Sequence, residues 1–380
     1  MALLGFFGCR PEAVDVDSVS IRPTSVELTV GSTYQLSAAV LPSDAPQELE
    51  WTSSRPSVAN VNASGLVTAV AVGECDITVY ASDKSDVCHV RVVDGDPTHP
   101  QDPDNPSVGG FDQNGASNAV FTVASGRTVK FSRGNLQYQA STGTWRFAEH
   151  QYDYVGSTNS NISSSNSGWI DLFGWGTSGW NSGANTYQPW ATSTTYSDYY
   201  PGGSYTNNDL TETYANADWG VYNAISNGGN QAGMWRTLTY LEWQYLLSNR
   251  AASMACGYGD VRYVKATVND VSGLIIFPDT YTHPSGVATL HNVNTPSAEF
   301  SGYVVTLSEW QQMESAGCIF LPAAGYRNGT EMDGVGTWGS YWSSTHVIEG
   351  YAYCMYFYDN DLNVYTGNRY CGKSVRLVME

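Results

Sequence analysis

The sequence predicts two domains: an all-β sandwich, then, beyond a stretched linker, a larger α+β domain with two helices, short strands and long loops. Three observations predict it. Residues 18–93 alternate apolar and polar positions in short runs. Prolines recur at every third residue, at 97, 100, 103 and 106. Beyond them, two apolar runs each open on a Thr followed three residues later by a Glu. Length agrees, because 380 residues at 42% hydrophobic suffice for one sizeable core and a smaller one.

Charge narrows the function before any motif does. Lys and Arg number 17 against 36 Asp and Glu, a formal net charge of −19. Such a surface repels phosphate backbones, which sets nucleic acids aside as partners. Gly (38), Tyr (26) and Trp (12) are abundant, as suits short strands, long loops and aromatic surfaces. No apolar run reaches the roughly 18 residues that a membrane helix needs. Seven cysteines leave at least one without an intrachain partner.

Residues 1–17 begin apolar in "MALLGFFGCR" and turn acidic in "PEAVDVDS". They resemble the tail of a lipoprotein signal, which implies lipid attachment at Cys9 and display on the outer membrane of a Gram-negative bacterium. An ordinary apolar terminus is the alternative.

Within 18–93, the runs "VELTV", "YQLSAAVLP", "LEWTS", "GLVTAV" and "CDITVYA" are separated by turn signals, the pattern of a sandwich. Cys75 and Cys88 share parity with Ile77 and Val79, and with Val90 and Val92, so both face inward. They bond only if their Cα atoms come within about 7 Å; two buried thiols are the preferred reading. The stretches "VELTVGSTYQLSAAVLPSDA" and "LEWTSSRPSVANVNASGLVTAVAVGECDITV" closely resemble the group 2 bacterial Ig-like domains. That resemblance implies that Trp51 is the core tryptophan and that Gly65 makes the turn in "SGLV". It also implies a spacer or adhesive module with no chemistry of its own.

Residues 94–115 form the linker. Proline at every third position favours a polyproline helix, which at roughly 3.1 Å per residue holds the domains some tens of ångströms apart. Its aspartates keep it soluble and form no EF-hand.

Residues 116–380 form one domain. "RTLTYLEWQYLLSNR" carries a capping box at Thr239 and Glu242, and "VVTLSEWQQMESAG" another at Thr306 and Glu309, with Gly317 as its stop. A strand, "CIFLP", follows at once. The Ser/Asn/Gly/Tyr-rich 156–230 reads as polar loop. Two helices framing a sheet-poor, loop-rich remainder is an α+β pattern.

Six motifs run in order through residues 130–378: "KFSRGNLQYQASTGTWRFAEHQYDYVG", "GWIDLFGWGTSGWN", "MWRTLTYLEWQYLLSNR", "CIFLPAAGYRNGT", "GSYWSST" and "GKSVRLV". Together they resemble the C-type lectin-like domains of variable proteins from diversity-generating retroelements, and more distantly the formylglycine-generating enzymes. In such targets an adenine-inaccurate copy replaces the end of the gene, so surface positions vary on a fixed framework.

The residues fit that implication. In "AYCMYFYD", Ala352, Met355 and Phe357 form the framework, while Tyr356 and Tyr358 point the other way. Val375 and Leu377 face the core, Gly372 permits a tight backbone, and Trp342 is expected buried with its indole N–H satisfied. The display positions are then Ser340, His346, Ile348, Tyr351, Tyr353, Cys354, Tyr356, Tyr358, Asn360, Asp361, Tyr365, Asn368, Tyr370 and Cys371. Asn, Tyr, Asp, Ser, His, Ile and Cys are all reachable from AAC or AAT by changing adenines. Glu349 and Lys373 are not. Tyr also supplies rigid amphipathic contact area at low entropic cost. An exposed strand edge of a Tyr-rich domain is the alternative.

Catalytic signals are weak. The copper-binding cysteine pair of formylglycine-generating enzymes is closely spaced, whereas Cys354 and Cys371 are far apart; Cys256 and Cys318 read as core thiols. The histidines at 89, 99, 150, 283, 291 and 346 make no HExxH pair. Asp359 and Asp361 in "YDNDLN" read as a polar turn ahead of a calcium foothold. The calcium-ligand motifs of sugar-binding C-type lectins are missing, which disfavours calcium-dependent sugar binding. The expectation is a monomeric, non-enzymatic surface protein without cofactor, binding an unidentified protein or glycan. A structural adhesin or appendage component with a fixed surface ranks second, and an oxidase-like enzyme last.

Overall fold

The computed structural model describes residues 14–29, 33–71, 73–93, 110–180, 187–205 and 208–380. Cys9 and residues 94–109 of the expected linker lie outside them. The described residues form two compact units, one on each side of that linker.

In the first unit, Lys84–Val93 is the hub. It pairs in parallel with Ser25–Thr29 and antiparallel with Gly73–Ala81, which in turn pairs with Glu50–Ser53. Thr33–Gln35, Leu66–Ala69 and Ala59–Val61 form a second sheet, and Ser18–Arg22 pairs with Ser37–Leu41. Strict alternation drives this. Along Gly73–Ala81, Cys75, Ile77, Val79 and Ala81 are buried and pack with Val90, Val67 and Ile21. Cys75 lies opposite Val90 and Cys88 opposite Ile77; both are free buried thiols, and burial pushes Cys88 up to about 11. Gly65 adopts φ +81°, and a Cβ there would sit 2.8 Å from the Trp51 ring. Trp51 itself is only partly buried, because its strand is the last of its sheet and one side stays open.

The second unit corrects the α+β expectation. Its described residues form sixteen strands in five sheets, with three α-helices of only four, five and nine residues. Both capping boxes are present: Thr239 with Glu242 and Thr306 with Glu309 close reciprocally. The helices they open are short. Tyr240–Gln244 passes at once into a π turn, Tyr245–Asn249, and Gly317 at φ +92° ends the segment after Leu307–Ser315. Many strands have only two to four residues, too few for alternation to be visible. The unit is a β-rich, multi-sheet fold.

Its chain end is a central strand. Leu377–Met379 is flanked by Arg127–Phe131 and Arg236–Thr237. Val375 and Leu377 enter a core with Phe173, Trp175, Trp235 and Trp342, while Val378 enters another with Phe131, Trp243, Met355 and Phe357. Around this strand runs a buried polar chain. The Gln151 amide donates to Glu314 (2.9 Å) and accepts from Arg376 (2.6 Å); the Asn135 amide donates to the Tyr341 hydroxyl (3.1 Å), which donates to the Pro322 carbonyl (2.8 Å). Cys318 is buried as expected of a core thiol, but Cys256 is exposed, at φ +52° in an irregular segment.

Candidate functional site

Three antiparallel strands carry most of the expected display positions: Trp338–His346, Tyr351–Tyr358 and Asp361–Asn368, the middle one in the centre. Their register stacks Trp338, Tyr358 and Asp361 in one row, Ser340, Tyr356 and Asn363 in the next, and Trp342, Cys354 and Tyr365 in a third. Side chains in these rows share one face.

The middle strand changes the face that it buries. Met355 and Phe357 enter the core that holds Phe131 and Trp243. Ala352 and Cys354, of opposite parity, enter the core that holds Trp342 and Trp175. Ala352 is therefore framework, but on the other side from Met355 and Phe357. The half-exposed residues consequently fall on opposite faces at opposite ends: Tyr356 and Tyr358 on one, Tyr351 and Tyr353 on the other.

At the Tyr358 end lies an aromatic cluster. The Trp338 ring is 4.6 Å from Tyr358, 6.0 Å from Tyr356 and 5.7 Å from Tyr326. Tyr356 and Tyr358 stack at 6.1 Å, and the Tyr356 hydroxyl donates to Asp361 at 3.3 Å. Burial, with Asp361 adding to it, pushes Tyr356 up to about 12, so it stays a neutral donor. Asn363 and Tyr365 are exposed beside them. Asn360 occupies the hairpin turn at φ +71°, a conformation that Asn tolerates. Asp359 in the same turn accepts from the Phe300 amide at 3.0 Å, which gives it a structural task.

At the other end, Tyr353 stacks on Tyr240 at 3.9 Å and Tyr351 lies opposite Asn368. Ile348, 67% exposed, tops the connection between the first two strands. His346 is held by Asp209, whose carboxylate meets both its backbone N–H (2.8 Å) and Nδ1 (2.6 Å). Between Asn368 and half-buried Tyr370, the Arg369 guanidinium is sandwiched by Trp175 (4.6 Å) and Tyr200 (5.0 Å), and its Nε donates to the Tyr351 carbonyl. This pins the third strand's exit.

Three expected display positions are buried: Ser340, Cys354 and Cys371. The segment 372–374 covers them. It bridges Arg327, Phe173 and Tyr341 and brings the Lys373 ammonium to the Ser340 hydroxyl at 3.0 Å. Burial raises both thiols above the ordinary range, and Lys373 offsets this only in part. They are protonated and poor nucleophiles. Trp342 is buried, its indole N–H donating to the Phe173 carbonyl at 2.7 Å.

The structure adds Trp338, Asn363, Tyr326 and Lys373 to the face. Asn363 was visible in sequence, since it shares parity with Asp361 and Tyr365. Trp338 needed the register opposite Tyr358. Tyr326 and Lys373 arrive from other segments, Lys373 lying 5.5 Å from the Tyr326 ring and 5.3 Å from that of Trp342.

Comparisons with known proteins divide at the linker. Residues 15–92 match the family described as bacterial Ig-like domain (group 2). Residues 292–378, which include the whole terminal sheet, match a family described as a domain of unknown function (DUF8237). A lacto-N-biosidase of Bifidobacterium bifidum is 37% identical over 105 residues, 26% of this chain and 9% of that protein. An uncharacterized protein of Clostridium acetobutylicum is 39% identical over 91 residues, 22% of this chain and 23% of that protein. The chain thus spans less than a quarter of either curated relative. Among solved structures, an Ig-like-domain-containing GH10 xylanase from termite gut is 28% identical over 22% of each chain, with a TM-score of 0.15. Domains 5-6 of the S-layer protein SbsC are 19% identical over 30% of this chain and 82% of that one, with a TM-score of 0.20. The family match and the sandwich agree on the first unit, which is a bacterial Ig-like domain.

Proposed function

We propose that this is a cell-surface binding protein in which the Ig-like domain carries a second unit whose terminal sheet presents the ligand site. One observation carries the reading. Trp338, Tyr356, Tyr358 and Tyr326 form a half-exposed aromatic cluster, edged by Asp361, Asn363 and Tyr365, on a sheet buried firmly on its other side. Rigid aromatic anchors with polar neighbours are what recognition surfaces use. The partner is a protein or glycan, and the role is binding without catalysis, which the protonated state of Cys354 and Cys371 supports. Diversification of Tyr356, Tyr358, Asp361 and Tyr365 at the gene level, and anchoring through a lipid on Cys9, belong to the same reading.

The test probes the full chain, alongside the double variant Tyr356→Ser and Tyr358→Ser, on arrays of bacterial and host surface glycans and proteins. A hit that the double variant loses is the expected result. Hits retained by the variant, or none, would sink the site. Sequencing the codons of residues 336–380 across many cells tests diversification separately: differences confined to exposed positions are expected, and uniform codons would leave a fixed adhesive surface.

A further inference from the structure

A concavity lies elsewhere in the C-terminal unit. A groove of about 440 Å³ opens on the outer face of the sheet formed by Leu136–Gln139, Thr144–Phe147 and Trp169–Ile170. Gln137, Arg146, Thr158, Asn161, Asn166 and Trp169 line it. Strand register explains the grouping: Gln137 pairs with Arg146 and Gln139 with Trp169, while the alternate residues Tyr138, Trp145, Phe147 and Ile170 enter the core beneath.

The Arg146 guanidinium lies 3.7 Å over the Trp169 ring, and its Nε donates to the Gln137 side-chain oxygen at 2.9 Å. Its two Nη groups have no hydrogen bond or ion pair among the described residues; Glu149 and Asp153 act on it only at longer range. Gln137 is 5% exposed, and its amide nitrogen has no hydrogen-bond partner among the described residues either. The Asn166 side-chain oxygen accepts from the Gly168 amide, and its NH2 has no hydrogen bond among the described residues. The loop over the sheet is held from below. Buried Asp171 accepts from the Val155 amide and the Asn159 side chain, both at 2.8 Å.

The lining is therefore rich in unpaired donors and carries a cation, in a protein of net charge −19. A guanidinium fixed by stacking keeps its planar fork for a two-point contact, and a carboxylate matches it. The other groups are amides and a hydroxyl, which suit ring hydroxyls. The volume falls in the small-molecule range and is far too small for a folded partner.

We propose that this groove binds an acidic sugar, with its carboxylate on the Arg146 fork and its hydroxyls on Gln137, Asn161 and Asn166. The proposal does not depend on the terminal sheet. Titrating the full chain with glucuronate, glucose and acetate, read by calorimetry and by the assigned Trp169 indole resonance, tests it. Glucuronate is expected to bind about tenfold or more tightly than either of the others, and Arg146→Gln to lose that margin. Unchanged resonances from the other indoles certify that this variant folds, and Asn161→Ala, on the exposed loop, is expected to weaken glucuronate a few-fold. Acetate binding as tightly as glucuronate would overturn the sugar assignment. Glucuronate binding that survives Arg146→Gln, or no binding, would overturn the site.

Discussion

The two units solve burial in opposite ways. Among the described residues of the Ig-like domain, everything buried is apolar or glycine; every buried polar or charged side chain belongs to the second unit. Those include Arg250, Lys265, Arg327, Arg369, Lys373 and Arg376, with Asp171, Asp218 and Glu242. The sandwich is specified by alternation, because each inward side chain needs only to be apolar and of fitting size. The second unit is specified by partners, because each buried charge needs a particular group at a particular place. That requirement holds irregular loops still, and its candidate sites lie on surfaces so held.

The sharpest break of this comparison is Gln151→Leu. It leaves the Arg376 guanidinium without its 2.6 Å acceptor and Glu314 without its donor, inside the core. Two hydrogen bonds to charged groups are lost together, at about 1.5–3 kcal/mol each. Hydrogen exchange resolved by peptide is expected to show that loss across the second unit, with protection in residues 73–93 unchanged. Equal loss in both would mean that they do not unfold separately. Ile77→Ala is the mirror experiment, with about 2–4 kcal/mol expected from the cavity and protection lost only in the Ig-like domain.

Acidity sharpens the contrast by a smaller amount. Burial, outweighing several hydrogen bonds, raises Asp171 and Asp218 to about 6. A folded pKa above the unfolded one means that the native state holds a proton that the unfolded chain has released. Stability therefore rises as pH falls through 6, by about 1 kcal/mol per group between pH 8 and 5. Glu314, also raised by burial, adds in the same direction. Denaturation midpoints are expected to move up for the second unit and to stay level for the sandwich, among whose described residues no carboxylate is buried.

The same contrast explains what could be foreseen. The long strands Gly73–Ala81 and Lys84–Val93 announce themselves by parity, and Cys75 and Cys88 face inward as that parity requires. Trp51 is less buried than its type suggests, because edge position is a property of the sheet and not of the strand. In the second unit, both helix starts were legible in the Thr-to-Glu spacing, since a cap is local. The balance of helix and strand was not, because strands of two to four residues carry no period. Ser340 and Cys354 share a face with Tyr356, as alternation demands, yet they are covered by residues 372–374. Which surface a distant segment covers is decided by tertiary packing. Arg146 and Trp169 meet for a similar reason: 23 residues apart, they are joined through Gln139 and Gln137 on a shared strand.

The smallest effect on stability is expected at an exposed position that the recognition reading gives to the ligand. Tyr365 is 61% exposed and lies opposite Cys354 in the register, on the face that carries Tyr356. Its neighbours Leu362 and Val364 hold the strand by packing into the core. Tyr365→Ser removes surface that water already reaches, so the folding free energy should stay within about 0.5 kcal/mol of the parent. Trp338→Ala makes the informative partner. Its ring touches Tyr326, Tyr356 and Tyr358, so removing it loosens the cluster as well as any ligand contact. If the terminal sheet is a recognition surface, Tyr365→Ser and Trp338→Ala both lose an array ligand while only the second loses measurable stability. If instead the aromatic cluster only seals the sheet edge, Trp338→Ala loses stability and Tyr365→Ser changes neither property.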